Sequence, residues 1–330
     1  MSLSSEVSTA PALLAESRRG GIVEGLIRGH LVLVDGAGQL VRGVGDPQTM
    51  TTLRSAAKPF QAASFVESGA AAALGLGQES IAIACSSHHG EPGHLQAARR
   101  ILAAAGLKEN ALRCGAHLPV DPQAAAELLR SGASPTAIHN NCSGKHAAML
   151  ATCVHRGWPT ESYLERGHPL QLEIASRLAR HAGLEVDRMP WGIDGCGLPT
   201  FGVSLQDFAA ALARAASSDL AFQTCQAAMA QHPWLIGGTT SFDTALVRAA
   251  GDTLTAKGGA AAIFGAVARD GSWALVVKLE AGAPAGLPQI AVHSLQQLGH
   301  LGTLPSALAP TEVTNWAGTV VGEIRVLVQL

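Results

Sequence analysis

Two Asp-Gly pairs near opposite ends of the chain restrict what it can fold into. Asp35-Gly36 separates the runs Ile22 to Arg28 and His30 to Val34 from Leu40 to Val44, and Asp270-Gly271 separates Ala260 to Ala268 from Trp273 to Glu280. An Asp-Gly pair between apolar runs marks a tight hairpin, because that turn needs residues that tolerate positive φ. Two hairpins at opposite ends most simply join one antiparallel sheet. Between them the apolar spacing predicts helices over Gly93 to Gly106, Gly144 to Gly157, His168 to Gly183 and Ser204 to Ser218. Pro169 suits the first turn of its helix and Gly183 its C-terminal cap. The expected fold class is α+β: an antiparallel sheet from both chain ends, flanked by helices, with a helical lobe inserted. We read one domain over 1–330, with the sheet from about 20–50 and 254–330 and the helical part at about 90–250.

Composition narrows the function. The chain has 330 residues, 47% of them apolar and 15% charged, with a formal net charge of -2. No long-range field would draw such a surface to nucleic acid, so small-molecule chemistry is expected. No apolar stretch reaches bilayer length, and the first residues include Glu6 and Glu16 without a basic segment ahead of an apolar one, so no membrane partner and a cytoplasmic location are expected. The six cysteines are irregularly spaced, which predicts free thiols or metal ligands in place of a disulfide framework.

Polar Gly-rich segments interrupt the regular pattern at Cys85 to His94, His139 to His146, Asp194 to Phe201 and Lys257 to Ala260. In a chain short of polar side chains, these are where function is expected. The basic residues add a clue: lysine stands at only five positions (58, 108, 145, 257 and 278), and arginine supplies the rest. A buried lysine can lose its proton and act as a base, which arginine cannot. Ser55 and Lys58 lie three apart, on one face of a helix that begins near Thr52, so the amine is placed to take the serine proton. A solvated helix turn accounts for the same spacing. Lys257, beside Gly258 and Gly259 ahead of a strand predicted from Ala260, is a second candidate lysine, with Ser87 as its hydroxyl; an ordinary polar turn fits there too.

Cys142 and Cys196 lie in separate glycine-bearing loops, with Lys145, His146 and Asp194 close in sequence. Such donors suit zinc, although no recognised ligand spacing is present and buried free thiols remain the plainer reading. Cys114, Cys153 and Cys225 are read as packing. His155, His181 and His232 suit helix ends, and His88, His89, His139 and His146 are candidates without roles.

Taken together, Arg54 to Pro59, Cys85 to Pro92, Leu112 to Pro119, His139 to Cys153, Asp194 to Phe201 and Phe242 to Gly251 resemble, in the same order, the Rhizobium-etli-type L-asparaginases, also called asparaginase II. The resemblance implies a serine β-lactamase or glutaminase-like fold and a homodimer that hydrolyses L-asparagine to L-aspartate and ammonia. Carried onto this chain, it implies two Ser-Lys pairs, Ser55 with Lys58 and Ser87 with Lys257. It also implies a zinc ion on Cys142, Lys145 and Cys196. Arg54, Asn140 and Asp194 become candidate substrate-binding residues. The implied chemistry is attack by Ser55, deprotonated by Lys58, on the side-chain amide, then hydrolysis of the ester.

Three departures fall late in the chain. Ala261 stands where glutamate is expected, Ser241 where arginine is usual, and Ala281-Gly282 where Asp-Gly is usual. They leave three readings in competition: an asparaginase, a glutaminase or other serine amidohydrolase on the same scaffold, and an inactive zinc-holding homologue.

Overall fold

Alternation along the central strands decides the layering. The computed structural model describes residues 10–302 and 309–330. The first nine residues of the expected domain, and 303–308 within its expected sheet region, lie outside the described residues. Eleven strands are described: β1 (Ala12–Arg19), β2 (Ile22–Asp35), β3 (Leu40–Val44), β4 (Met50–Thr52), β5 (Trp191–Ile193), β6 (Pro199–Ser204), β7 (Leu254–Gly259), β8 (Ile263–Ala268), β9 (Trp273–Leu279), β10 (Glu312–Thr314) and β11 (Val320–Val326). The main sheet runs β10-β11-β1-β2-β9-β8-β7, with β3 also pairing β2, and the contacts between its strands are antiparallel. Both chain ends therefore build it, as the two hairpin signals predict. A smaller sheet, β4-β6-β5, stands apart.

The α-helices in order are α1 (Lys58–Glu67), α2 (Ala70–Ala73), α3 (Gln78–Ala84), α4 (Pro92–Ala104), α5 (Pro122–Arg130), α6 (Ser143–Arg156), α7 (Pro169–Ala182), α8 (Leu205–Ser218), α9 (Leu220–Gln231), α10 (Phe242–Ala250) and α11 (Leu287–Gln297). Leu31, Leu33, Leu275 and Val277 pack into one apolar core with Ile290 and Leu295 of α11. Val32, Val34, Ala274 and Val276 pack into a second core with Phe208 and Leu212 of α8. Successive strand side chains face opposite sides, so a sheet covered on both faces gives the near-continuous apolar run of β2. The first core extends through α1, α3, α4, α6 and α9, which form the inserted helical lobe. There α6 meets α3 so closely that a Cβ on Gly144 would sit 2.4 Å from the Ile83 carbonyl oxygen.

Some expectations shift. The sheet begins at Ala12, before the expected start, because β1 pairs with β2 across a turn in which Gly20 (φ 52°) and Gly21 (φ 88°) take left-handed backbone. Helices begin at Lys58, well ahead of residue 90. The strand expected from Ala260 starts at Ile263, after a 3-10 turn at Ala260–Ala262, and Lys257 lies inside β7 rather than in a loop before a strand. Pro169 and Gly183 take the expected positions, with Gly183 at φ 75°. Among the described residues no helix is long and apolar enough to cross a membrane.

Candidate active site

Strand β4 delivers the chain into a 3-10 turn at Arg54–Ala57, and Lys58 then opens α1 with Pro59 in its first turn. Leu53 N–H anchors the turn on the Phe201 carbonyl of β6 (3.2 Å). Arg54 sits at φ 48°, a left-handed conformation that costs a side-chain-bearing residue about 1–2 kcal/mol. It is held there by its Nε donating to Asp194 Oδ1 at 2.6 Å and its backbone N–H to Thr200 Oγ1 at 3.3 Å. Asp194 also accepts from the Gly195 N–H at 2.7 Å. Burial alone would raise the Asp194 carboxyl; Lys145, that N–H and Arg54 outweigh it and hold it below the usual range. The Arg54–Asp194 pair therefore fixes the turn that carries Ser55.

Lys58 is fully buried, and its Nζ donates to the Ser86 carbonyl (2.5 Å) and to Ser87 Oγ (2.9 Å). Its closeness to Ser55 is taken up in the backbone, where the Lys58 N–H donates to the Ser55 carbonyl. The half-buried Ser55 hydroxyl makes no hydrogen bond among the described residues. Burial pushes the Lys58 amine down to about 8, Lys145 and Lys257 push the same way, and the Cys142 and Cys196 thiols oppose them. A lysine brought this close to neutrality, on a serine oxygen, suits a proton acceptor.

Ser87 is set between two loops: its N–H donates to the Ile236 carbonyl (3.0 Å), while His88 N–H reaches Asn141 O (3.1 Å) and His89 N–H reaches Gly237 O (2.8 Å). The expected Ser87–Lys257 bond is absent among the described residues. Lys257, on edge strand β7, pairs with Asp243 of α10 and donates to the Gly258 carbonyl at 3.0 Å. The pairing read from spacing is thus rearranged: Lys58 crosses to Ser87, and Lys257 turns to a carboxylate. Gly259 lets β7 approach the Ser55 turn, for a Cβ there would lie 3.0 Å from both Ala56 N and Leu53 O.

The thiol cluster lies beside Lys58. Cys142 precedes α6, Lys145 is in its first turn, and Cys196 comes from the loop after Asp194. Lys145 Nζ donates to Cys196 Sγ at 3.2 Å. The Cys196 thiol hydrogen-bonds Cys142, and that bond, with the Lys145 and Lys58 charges, draws the Cys142 thiol well down despite burial. Burial would lower Lys145; Cys142, Cys196 and Asp194 overcome it, so its amine holds its proton tightly. Among the described residues no three His, Cys, Asp or Glu side chains gather as a metal site, so a cation here would need Lys145 as third ligand. Two buried thiols of which one ionises readily fit a thiophilic ion such as zinc, provided Lys145 gives up its proton. The six cysteines are all free and buried.

Asn140, expected near substrate, has its amide engaged: Nδ2 donates to the Cys114 carbonyl (2.8 Å) and Oδ1 accepts from Cys142 N–H (2.8 Å). It braces the thiol loop. His88 and His146 are buried and held neutral by desolvation. His88 Nδ1 accepts from Gly90 N–H at 3.2 Å, so its Nε2 carries the proton toward Ser143 Oγ at 2.8 Å. Sequence reading assigned nothing to Asp243, or to Glu91, which clamps Thr239 through its N–H and hydroxyl at 2.7 Å each. The one visible signal for Asp243 was an acid opening a helical run, where the helix dipole favours it. A surface cleft of about 770 Å³ between Glu67, Arg180, Arg214 and Asp219 lies elsewhere and is lined by none of the site's serines or lysines.

The family model described as L-asparaginase II matches residues 15–326. The chain belongs to the L-asparaginase II family. Membership makes it an amidohydrolase of the asparaginase type, and the match spans every strand and helix described above except the first residues of β1. No curated protein matches the chain. Among solved structures, a beta-lactamase from Mycobacterium bovis is similar at 14% identity and a TM-score of 0.42, over 82% of this chain and 94% of that one. A structure titled Mglu in its tris and glutamate form is similar at 14% identity and a TM-score of 0.35, over 88% of this chain and 63% of that one. Likenesses this distant say nothing of activity or substrate.

Proposed function

We propose that this member of the L-asparaginase II family hydrolyses L-asparagine to L-aspartate and ammonia through a serine nucleophile activated by Lys58. The observation that carries the reading is the fully buried Lys58 amine on Ser87 Oγ, with Ser55 one backbone turn before Lys58 and its hydroxyl without a hydrogen bond among the described residues. Neutral Lys58 takes the proton of Ser55 as Ser55 Oγ bonds to the amide carbon. Collapse of the adduct expels ammonia with a proton returned from the lysine, and water cleaves the β-aspartyl ester. Arg54 and Asp194 fix the turn, and the part of Arg54 left exposed is suited to the substrate carboxylate. The thiol cluster with Lys145 would hold zinc, whose charge orders the loops behind Lys58 when bound. The same reading carries a cytoplasmic homodimer, checked by light scattering on the purified protein.

A second assignment, Ser87 as nucleophile, is favoured by the Lys58–Ser87 bond itself. Labelling with the electrophilic asparagine analogue 5-diazo-4-oxo-L-norvaline, followed by peptide mass spectrometry, separates the two. Adduct on the peptide bearing Ser55 supports the first assignment and adduct on Ser87 the second. Asparagine-protected labelling at neither would overturn the Ser-Lys mechanism. Ammonia release from glutamine at a rate matching asparagine would move the substrate to the glutaminase alternative.

A further inference from the structure

Lys257 is 4% exposed and its partner Asp243 7% exposed, so both charges of this pair are out of water. A buried ion pair persists when further hydrogen bonds complete it, and here they do. Asp243 binds Lys257 Nζ through Oδ2 and accepts the Gly258 N–H at 3.0 Å (Oδ1) and 3.2 Å (Oδ2). Gly258 lies on β7, the edge of the main sheet, so the carboxylate closes an edge strand as well as holding the lysine. The absence of a side chain at Gly258 permits this approach, since a Cβ there would lie 3.1 Å from Asp243 Oδ1. An ammonium has three N–H donors. Among the described residues two are taken, by Asp243 and the Gly258 carbonyl, which leaves one. The Lys257 charge also acts on Lys58 and His89.

We propose that Asp243 is the positioning residue of the amidase site: it holds Lys257 as a fixed ammonium with one free N–H, so that Lys257 serves the reaction as a cation and Lys58 serves as its base. This rests on the amidohydrolase reading above. It assigns a role to the acid of the Phe242-Asp243-Thr244 segment and divides the labour between two lysines that spacing treats alike.

A double-mutant cycle on Asp243→Asn and Lys257→Met tests it, read in kcat, KM and thermal midpoint. The expected result is a kcat fall of about 10²-fold in each single variant, the size seen when one preorganised charge or donor is lost, with KM within about threefold. The double variant should be no slower than Lys257→Met alone, because Asp243 acts through Lys257. Asp243→Glu, which keeps the charge, should recover part of the rate and covers the case in which the Asn variant fails to fold. Multiplying effects in the double variant, or wild-type kcat in Asp243→Asn, would overturn the proposal. A wild-type protein inactive on amides defeats the functional reading separately. In that case the midpoints decide for Asp243: non-additive losses retain the fixed pair, and additive losses reject it.

Discussion

Replacing Asp219 by alanine should cost this protein far more than a surface acid would. Asp219 is 8% exposed and its carboxylate joins α9 to α7. Its Oδ1 caps α9 by accepting from Ala221 N–H (3.0 Å) and Phe222 N–H (3.1 Å). Its Oδ2 meets Arg177 and lies 3.1 Å from His181 Nε2, both on α7. Loss of an N-cap costs about 1 kcal/mol. Leaving a buried charge without its partner costs about 3–5 kcal/mol. Arg177, 2% exposed, keeps Glu67 as a second partner, so the low end applies and the sum is about 4 kcal/mol. An unfolding entropy of about 2.1 cal/mol/K per residue over the 330 residues gives about 0.7 kcal/mol/K, hence a midpoint about 6 °C lower. Differential scanning calorimetry at one scan rate reads this directly. A fall under about 2 °C would show that the network contributes little beyond the cap.

The same carboxylate gives a pH dependence. Burial would raise Asp219, but the hydrogen bond to His181 and the Arg177 charge outweigh it and depress its folded pKa well below the ordinary carboxylate value. Its stabilisation is therefore complete above an unfolded pKa of about 3.9 and disappears as pH falls toward the folded one; the midpoint gap between wild type and Asp219→Asn should narrow between pH 5 and 3, and a constant gap would refute the linkage. Ala261 (φ 61°) and Ala262 (φ 54°) both take left-handed backbone. Changing the pair to glycine relieves about 1–2 kcal/mol each against about 0.5–1 of added chain entropy, so the midpoint should rise by about 1–3 °C; a fall would show that the methyl groups pack usefully. If the thiol cluster binds zinc, metal analysis should find near-stoichiometric zinc in the wild type and little in Cys196→Ala, and equal content in both would place the metal elsewhere.

How far these features could be read from the sequence depends on their range. Asp35-Gly36, Asp270-Gly271, Pro169 and Gly183 act within a few residues, and each stands where the sequence predicts. β1, written Ala-Leu-Leu-Ala-Glu-Ser-Arg-Arg, carries strong helix formers and becomes a strand because it lies between β2 and β11, a tertiary override of propensity. The residues of the site were visible as types: Ser55, Lys58, Ser87 and the Cys142, Lys145 and Cys196 set stand in the polar loops or near element ends, and Lys257 stands inside β7. Their partnerships were not. Lys58 reaches a serine 29 positions away, Lys257 an acid 14 positions before it, and His181 an acid 38 positions after it. Such contacts depend on which elements pack together, and periodicity carries no information on that.

Ammonia release from L-asparagine by the purified protein, compared with Ser55→Ala and Lys58→Met, bears most directly on the Ser-Lys amidohydrolase assignment. The expected result is turnover by the wild type and a fall of at least about 10³-fold in each variant at unchanged fold, the scale of losing an activated nucleophile. Wild-type rates in Lys58→Met, or no release from any amide by the folded wild type, would contradict it.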